Sequence, residues 1–278
     1  MTTAVSPWLA LSGGAPGADH TRRLRAAHER LVTCSAVPSD DAVRSVVLDS
    51  WRRSLGSGID PDGVLPPVDL LDDDLLAYRA AHPLAPVMPV IRRLLVEDAE
   101  VDQMIVAVTD AGGRMLWVEG DPRLRSLAAG MHFVEGARWG EDVAGTNAPG
   151  TALAVDHAVQ IYGSEHFRRP VQPWSCSAAP VHDPFTGALL GAIDVTGGDH
   201  VAIPHVLTLV RATVAAVEGE LRWLHREQQA RRTPAAAAPA RAVPRLEVLG
   251  RERARLSLPS GPVDLSLRHA ELRKRLAR

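Results

Sequence analysis

Between Met104 and Val195 the apolar residues come in short β-rich runs joined by local turns, while on both sides of that segment they recur at helical spacing. This change of period is the strongest constraint on the fold, because a 3.6-residue stripe and a two-residue alternation cannot serve the same element. Met104–Thr109 and Arg114–Val118 read as a hairpin across Asp110-Ala-Gly-Gly113, and Ala158–Tyr162 as a further strand. Ser175–Val181 and Ala188–Val195 are joined by Asp183-Pro-Phe-Thr-Gly187, in which Pro presets φ and Gly accepts a positive one. Strands connected locally, with helices before and after them, predict an α+β fold with a mostly antiparallel sheet.

Upstream, Leu24, Ala27, Leu31 and Cys34 predict a helix over 19–34 capped by Asp19. Ser39 is the expected cap of a second helix, with Val43, Val46, Val47 and Trp51 on one face and Gly56 and Gly58 as stops. Asp72, Asp73 and Asp74 mark the start of a short helix, and Met88, Ile91, Leu95 and Ala99 form the stripe of another. Downstream, Ile203, Leu207, Val210, Val214, Val217, Leu221 and Leu224 alternate steps of four and three behind Pro204. That spacing fits a helix laid on the sheet and equally a heptad seam pairing two copies.

The formal net charge of −2 hides an asymmetry. From Arg222 onward there are 14 basic and 5 acidic residues, +9; the rest has 17 and 28, −11. A basic end on an acidic body suits contact with a polyanion. Two cysteines in 278 residues exclude a disulfide scaffold and a four-cysteine zinc site. There is no apolar run of membrane-spanning length, no signal peptide, no Lys-Ser/Thr P-loop, no Gly-x-Ser-x-Gly and no His-Glu-x-x-His. A cytoplasmic protein is expected. The domain plan is a disordered start over 1–18, a helical segment over 19–85, a sheet-bearing domain with its long helix over 86–228, an Ala/Pro linker over 229–244 and a basic region over 245–278. Within that last region Leu246–Leu249 and Ala254–Leu258 read as strands, and Ser266 as the cap of a final helix through Leu276.

The densest local pattern is Gly140-Glu-Asp-Val-Ala-Gly145-Thr-Asn-Ala-Pro-Gly150-Thr151. Thr146 or Asn147 can cap a helix with Pro149 in its first turn, presenting N–H groups to a ligand or simply closing the helix. Cys176 shares a strand face with Ala178, and Asp194 lies between apolar neighbours on the next strand. With Trp139, His166 and Trp174 they could line a pocket of aromatic walls and few polar groups. His166 and Cys176 also fit a base and nucleophile or a pair of metal ligands, against an inert buried thiol. Arg251, Arg253, Arg255, Arg268, Arg273, Lys274, Arg275 and Arg278 fit phosphate contact or a solvated basic face.

The series Trp51-Arg-Arg-Ser54, Gly58-Ile-Asp-Pro61, Glu141 with Gly145-Thr-Asn-Ala-x-Gly-Thr151, Glu165-His-Phe167, Trp174-Ser-Cys-Ser-Ala-Ala-Pro180, Asp183-Pro-x-Thr-Gly187 and Asp194-Val-Thr196 resembles the sensory region of bacterial regulators of the acetoin and dihydroxyacetone catabolism activator type. The resemblance covers about residues 25–228. It implies a GAF domain, terminal helices that mediate a homodimer (here 203–224), no cofactor, no catalytic residue, and a small-molecule effector. The implied cavity is lined by Trp139, Glu141, Thr146, Asn147, His166, Trp174, Cys176 and Asp194. The tail is similar to the lead-in of a C-terminal DNA-binding region that would be incomplete at Arg278, with Arg251, Arg253, Arg268, Arg273 and Lys274 as the expected nucleic-acid contacts. The competing readings are a GAF-fold enzyme of the free methionine sulfoxide reductase kind, a haem or metal sensor using His166, and a scaffold for dimerisation alone.

Overall fold

The computed structural model describes residues 6–11, 17–34, 43–232, 245–249, 253–258 and 261–266. By contacts the chain forms two compact units, Met1–Leu224 and His225–Arg278.

In the first unit five strands pair antiparallel: β1 (Met104–Thr109), β2 (Met115–Gly120), β3 (Val159–Ile161), β4 (Ser175–His182) and β5 (Leu189–Gly197), in the order β2-β1-β5-β4-β3. β5 is central, and its register assigns every neighbour to a face. Ala107 and Ala178 stand opposite Asp194, and Ile105 and Cys176 opposite Thr196, so these six share one side. Val106, Val108, Ala179, Val181, Ile193 and Val195 point to the other.

That second side is closed by two helical elements. One is α8 (Pro204–Arg232), through Leu207, Val210, Val214 and Val217; the other is a turn, Ala85–Val87, running into α4 (Met88–Ile91) and a π turn, Arg92–Val96. Val87, Met88, Ile91 and Leu95 fill the space between them and the strands. Each such side chain contributes about 1.5–3 kcal/mol on burial. Leu207, Val210, Val214 and Val217 of the seam are therefore occupied by the sheet, while Leu221 and Leu224 pack against the same cluster and stay partly exposed.

The first side carries two further clusters. Around β3 and β4, Val159, Ile161, Cys176 and Ala178 pack with α7 (Ala148–Val155), α1 (Ala18–Cys34) and α2 (Ser45–Gly56). Over β1 and β2, Ile105, Ala107, Met115 and Val118 meet the loop bearing Met131, Phe133 and Trp139, together with Trp174 and α5 (Pro122–Ala129). Trp51 of α2 is fully buried, and its Nε1 donates to the Glu165 carbonyl at 2.7 Å. The helical segment over 19–85 belongs to the same compact unit as the sheet. α3 (Asp72–Ala81) starts on Asp72, Asp73 and Asp74 as the charge pattern predicts.

Several local expectations are corrected. Residues 6–11, expected to be disordered, lie along the β3 edge: Gln160 N donates to Trp8 O at 3.0 Å, Trp8 stacks on His157 at 3.8 Å, and Leu11 is buried. An edge strand leaves main-chain groups unpaired, and this strap takes one of them. Asp19 pairs with Arg22 and Arg23 within α1 instead of acting as its cap. α2 begins behind Arg44, and the expected cap Ser39 lies outside the described residues.

In the second unit β6 (Arg245–Leu249), β7 (Arg253–Leu258) and β8 (Gly261–Ser266) form an antiparallel meander, with Arg255 on Asp264 at 2.8 Å. Ser266 ends β8, paired with Arg253, where a helix cap was expected. Arg251, Arg268, Arg273 and Lys274 lie outside the described residues.

If α2 is part of the core, Trp51→Ala costs about 3–5 kcal/mol. Trp51→Phe keeps most of the ring but leaves the Glu165 carbonyl unanswered, at about 1–3 kcal/mol. Urea unfolding should show the midpoint falling with an unchanged m-value; a Trp51→Ala loss below about 1 kcal/mol would place α2 outside the cooperative unit.

Candidate functional site

The sheet side that bears Asp194 is roofed by α6 (Glu141–Ala144), α7 and the segment 162–174. Gly145, at φ +73, turns the chain between α6 and α7, and a Cβ there would press on Phe167 at 3.0 Å. Asn147 is the cap of α7. Its Oδ1 accepts from Gly150 N at 2.8 Å, and its Nδ2 donates to Trp139 O and Gly145 O at 3.0 and 2.7 Å. A Cβ on Gly150 would stand 2.5 Å from Trp139 O. The first turn of α7 is thus closed by protein, not held open to an anion as one reading expected.

Glu141 and Thr146 are turned away from the sheet toward α2. Glu141 accepts from Ser50 Oγ and, at 3.0 Å, from Arg53 Nη2; burial raises its pKa, and these two donors oppose the rise. Thr146 Oγ1 meets Ser50 Oγ at 2.6 Å and Ser54 Oγ at 3.2 Å, and its N–H donates to Ser54 Oγ at 3.0 Å. The polar atoms of these two residues and of Asn147 are bonded to protein partners that hold the roof.

The remaining five residues divide into wall and polar centre. Trp139 stacks edge-on against Phe133 at 4.9 Å and anchors its Nε1 on His132 O at 2.9 Å; Trp174 packs in the same apolar cluster. His166 Nδ1 donates to Gly163 O at 2.9 Å, which leaves Nε2 as the acceptor facing Cys176 Sγ at 3.5 Å. Cys176 Sγ is also 3.0 Å from Thr196 Oγ1, which donates to Asp194 Oδ2 at 2.6 Å. One S–H hydrogen thus serves two acceptors. Asp194 Oδ1, at the end of this chain and fully buried, has no hydrogen-bond partner among the described residues.

Burial governs the charges. It pushes His166 down to about 4 against the Gly163 bond, and Asp194 up to about 7 against the Thr196 bond. It also raises the Cys176 thiol, and the neighbouring Asp194 adds to the rise. The thiol stays protonated at neutral pH, whereas the nucleophile in cysteine chemistry is the thiolate. Among the described residues no three His, Cys, Asp or Glu side chains gather to hold a metal ion.

Thr196 belongs to this centre although sequence reasoning passed it over. Its signal was present, since Asp194 and Thr196 are two apart in a strand and share a face. Ser50, Ser54 and Arg53 carried no comparable signal, because their partners lie about 90 residues away.

Asp194 titrates from an ordinary unfolded value near 3.8 to about 7 when folded. Between these values the unfolded chain releases the proton that the folded chain keeps, so this group's contribution to stability is lost as pH rises and constant above about 7. Asp194→Asn should therefore gain on the parent chain by ~1.4 kcal/mol per pH unit across that window. His166 is present in both and cancels. Chemical denaturation of the two proteins from pH 4 to pH 8 checks this; a pH-independent difference would mean that Asp194 ionises as an exposed carboxylate does.

Comparison with known proteins places this geometry. A 47.3 kDa Rhodococcus erythropolis protein from the thcA 5′ region is 52% identical over 96% of this chain and 61% of its own length. The acetoin dehydrogenase operon transcriptional activator AcoR of Bacillus subtilis is 35% identical over 67% of this chain and 31% of its own length. The propane 2-monooxygenase operon transcriptional activator MimR of Mycolicibacterium smegmatis is 32% identical over 76% and 35%. The chain spans less than two thirds of each relative. Among solved structures, E. coli DhaR(N), crystallised with DhaL, shares the fold at a TM-score of 0.57 and 18% identity over 67% of this chain and 65% of that one. The α+β GAF arrangement expected from the motif series is the one present. Two of these relatives are named transcriptional activators, which marks kinship with regulators rather than enzymes. The model of the MimR N-terminal domain matches residues 20–219, and the chain belongs to that family.

Proposed function

We propose that the chain is the sensory part of a transcriptional regulator, reading a small uncharged organic effector on the sheet side that carries Asp194 and relaying it through α8 to a DNA-contacting output. The observation that supports this most is the buried Oδ1 of Asp194 without a partner, set at the end of a hydrogen-bonded chain inside an apolar layer. An unanswered buried polar atom costs about 1–3 kcal/mol, and a ligand oxygen placed there recovers it. Trp139 and Trp174 share an apolar cluster with Ala107, which stands opposite Asp194 on one strand as Ala178 does on the other, and His166 and Cys176 continue the hydrogen-bonded chain. The names of the relatives, an acetoin dehydrogenase operon activator and a propane 2-monooxygenase operon activator, accord with a small uncharged effector.

The output side of the proposal is a cytoplasmic homodimer that contacts DNA phosphates through Arg251, Arg253, Arg268, Arg273 and Lys274. With the α8 seam on the sheet, association uses the outward side of that helix, where Leu209 and Trp223 are exposed. No cofactor is required, and no residue is assigned a catalytic role. No described helix is long and apolar enough to cross a membrane.

Thermal-shift titration with small ketones and secondary alcohols is expected to raise the melting temperature of the parent chain, and Asp194→Ala to abolish the rise. A mobility shift on the DNA upstream of its own gene should weaken steeply with salt, as phosphate contacts require. Stabilisation that survives in Asp194→Ala would move the effector elsewhere, and no shift at low salt would remove the DNA output.

A further inference from the structure

A cavity of about 540 Å³ lies on the far side of the turn Tyr162–Glu165, between that turn and the first half of α1. It is separate from the Asp194 centre, and neither site depends on the other being occupied. Its size is in the range of small-molecule pockets. Three hydroxyls face it: Thr21 and Tyr162, bonded to each other at 3.2 Å, and the buried Ser164.

Two charges on its lining are left without opposite partners. Arg22 and Arg23 of α1 share Asp19, but Arg25 gives its Nε to the neutral Ser164 Oγ at 3.2 Å and has no carboxylate in salt-bridge range among the described residues. Asp199 accepts one long hydrogen bond, from Ser175 Oγ at 3.5 Å, and has no cation in range among them. Both act on the same hydroxyl. Burial, the largest cause, raises the Tyr162 pKa; the Thr21 bond opposes it, Asp199 adds to the rise, and Arg25 opposes it. Arg25 and Asp199 thus line one cavity, and neither is paired with the other.

A simple anion would leave Asp199 unanswered and repelled, and a simple cation would do the same to Arg25. A ligand with both charges answers both. The first turn of α1 also lines the cavity at Ala18, and the positive end of its dipole favours a carboxylate. We propose that this cavity binds a free α-amino acid, its carboxylate on Arg25 and the start of α1, its ammonium on Asp199, with the Thr21, Tyr162 and Ser164 hydroxyls between them. Asp199 opens the turn Asp199–Ala202 that leads directly into α8. A ligand held there ties α1 to the root of α8, so the site is a second input to the helix that leaves the domain.

The whole chain should be titrated with each of the twenty proteinogenic L-amino acids at millimolar concentration by thermal shift and calorimetry, with acetate and methylamine as one-charge controls. At least one amino acid is expected to bind saturably and both controls to fail. Arg25→Gln and Asp199→Asn, both exposed positions, should keep the ligand-free melting temperature and each weaken binding at least about tenfold, equivalent to roughly 1.4 kcal/mol. Absence of binding by every amino acid overturns the proposal. Equal binding of acetate makes this a plain anion site and overturns it as well, as does binding that neither substitution weakens.

Discussion

The arrangement above the sheet depends on two carboxylates that fasten α2 to the segment it covers. Glu165, 3% exposed at its side chain, is gripped by the Arg44 guanidinium, and its second oxygen also accepts from Tyr162 N at 2.7 Å. Glu141 is held by Ser50 and by one contact from Arg53, whose side chain stays 43% exposed, so the buried pair is that of Glu165. Buried ion pairs are a weak source of net stability, yet breaking one partner costs about 3–5 kcal/mol because the other charge is stranded. What such pairs supply here is position. Glu165 precedes His166 and Phe167, so the clamp that holds the carboxylate also aims the imidazole at Cys176. The neighbouring His28 Nε2 donates to Phe167 O at 2.9 Å and fixes the same turn from α1. The amino-terminal helices are therefore part of the site's frame.

This explains how the chain's motifs divide between chemistry and construction. Trp51-Arg-Arg-Ser54 contributes a buried ring, a partner for Glu141 and a partner for Thr146. Arg168 donates to the carbonyls of Val143, Ala144 and Asp60, and Arg169 N to the Pro61 carbonyl, which fastens Gly58-Ile-Asp-Pro61 to the roof. Most of the motif series holds the lid in register, while His166, Cys176, Thr196 and Asp194 form one buried chain of polar contacts beneath it.

The sheet was legible because short continuous runs of apolar and small residues in β1, β4 and β5 report burial on both faces, and turn chemistry at Asp110–Gly113 and Asp183–Gly187 marked the hairpins. The shared face of Asp194 and Thr196 was implicit in the two-residue strand period, but the bond between their side chains was not. The role of α8 was not decidable in advance. A stripe at steps of three and four buries equally well against a sheet or a second helix, and only the partner, here Val106, Ile193 and Val195, separates the two. The partners of Glu141 and Thr146 were illegible for a related reason: a polar side chain in a glycine-rich turn points wherever its bonds are met, and those partners come from α2. The strap at Trp8–Leu11 gave no periodic signal, since a segment that lies along an edge uses main-chain bonds and single anchors rather than a face.

On the proposed function, the connection from the sheet to α8 is the route by which an effector would act. β5 carries Asp194 and Thr196, ends at Gly197, and after the turn Asp199–Ala202 becomes α8. The root of that helix is bonded to the sheet from the side as well. Ser177 Oγ of β4 donates to Val201 O at 2.7 Å, and Gln160 Nε2 of β3 donates to Ile203 O at 2.7 Å. Gln160 also accepts from Ala10 N, so the strap, the edge strand and the helix root share one side chain. Rigid packing on the apolar side means that β5 and α8 do not slide independently. A ligand that shifts Asp194 along or across the sheet must therefore move the first turn of α8 or break these bonds. A coupling free energy needs such an element with two arrangements. The short passage from Gly197 to Pro204 is where this chain can provide one: Gly198, Asp199 and His200 are exposed, while Val201 and Ala202 sit in the two core clusters and tie the passage to both faces of the sheet.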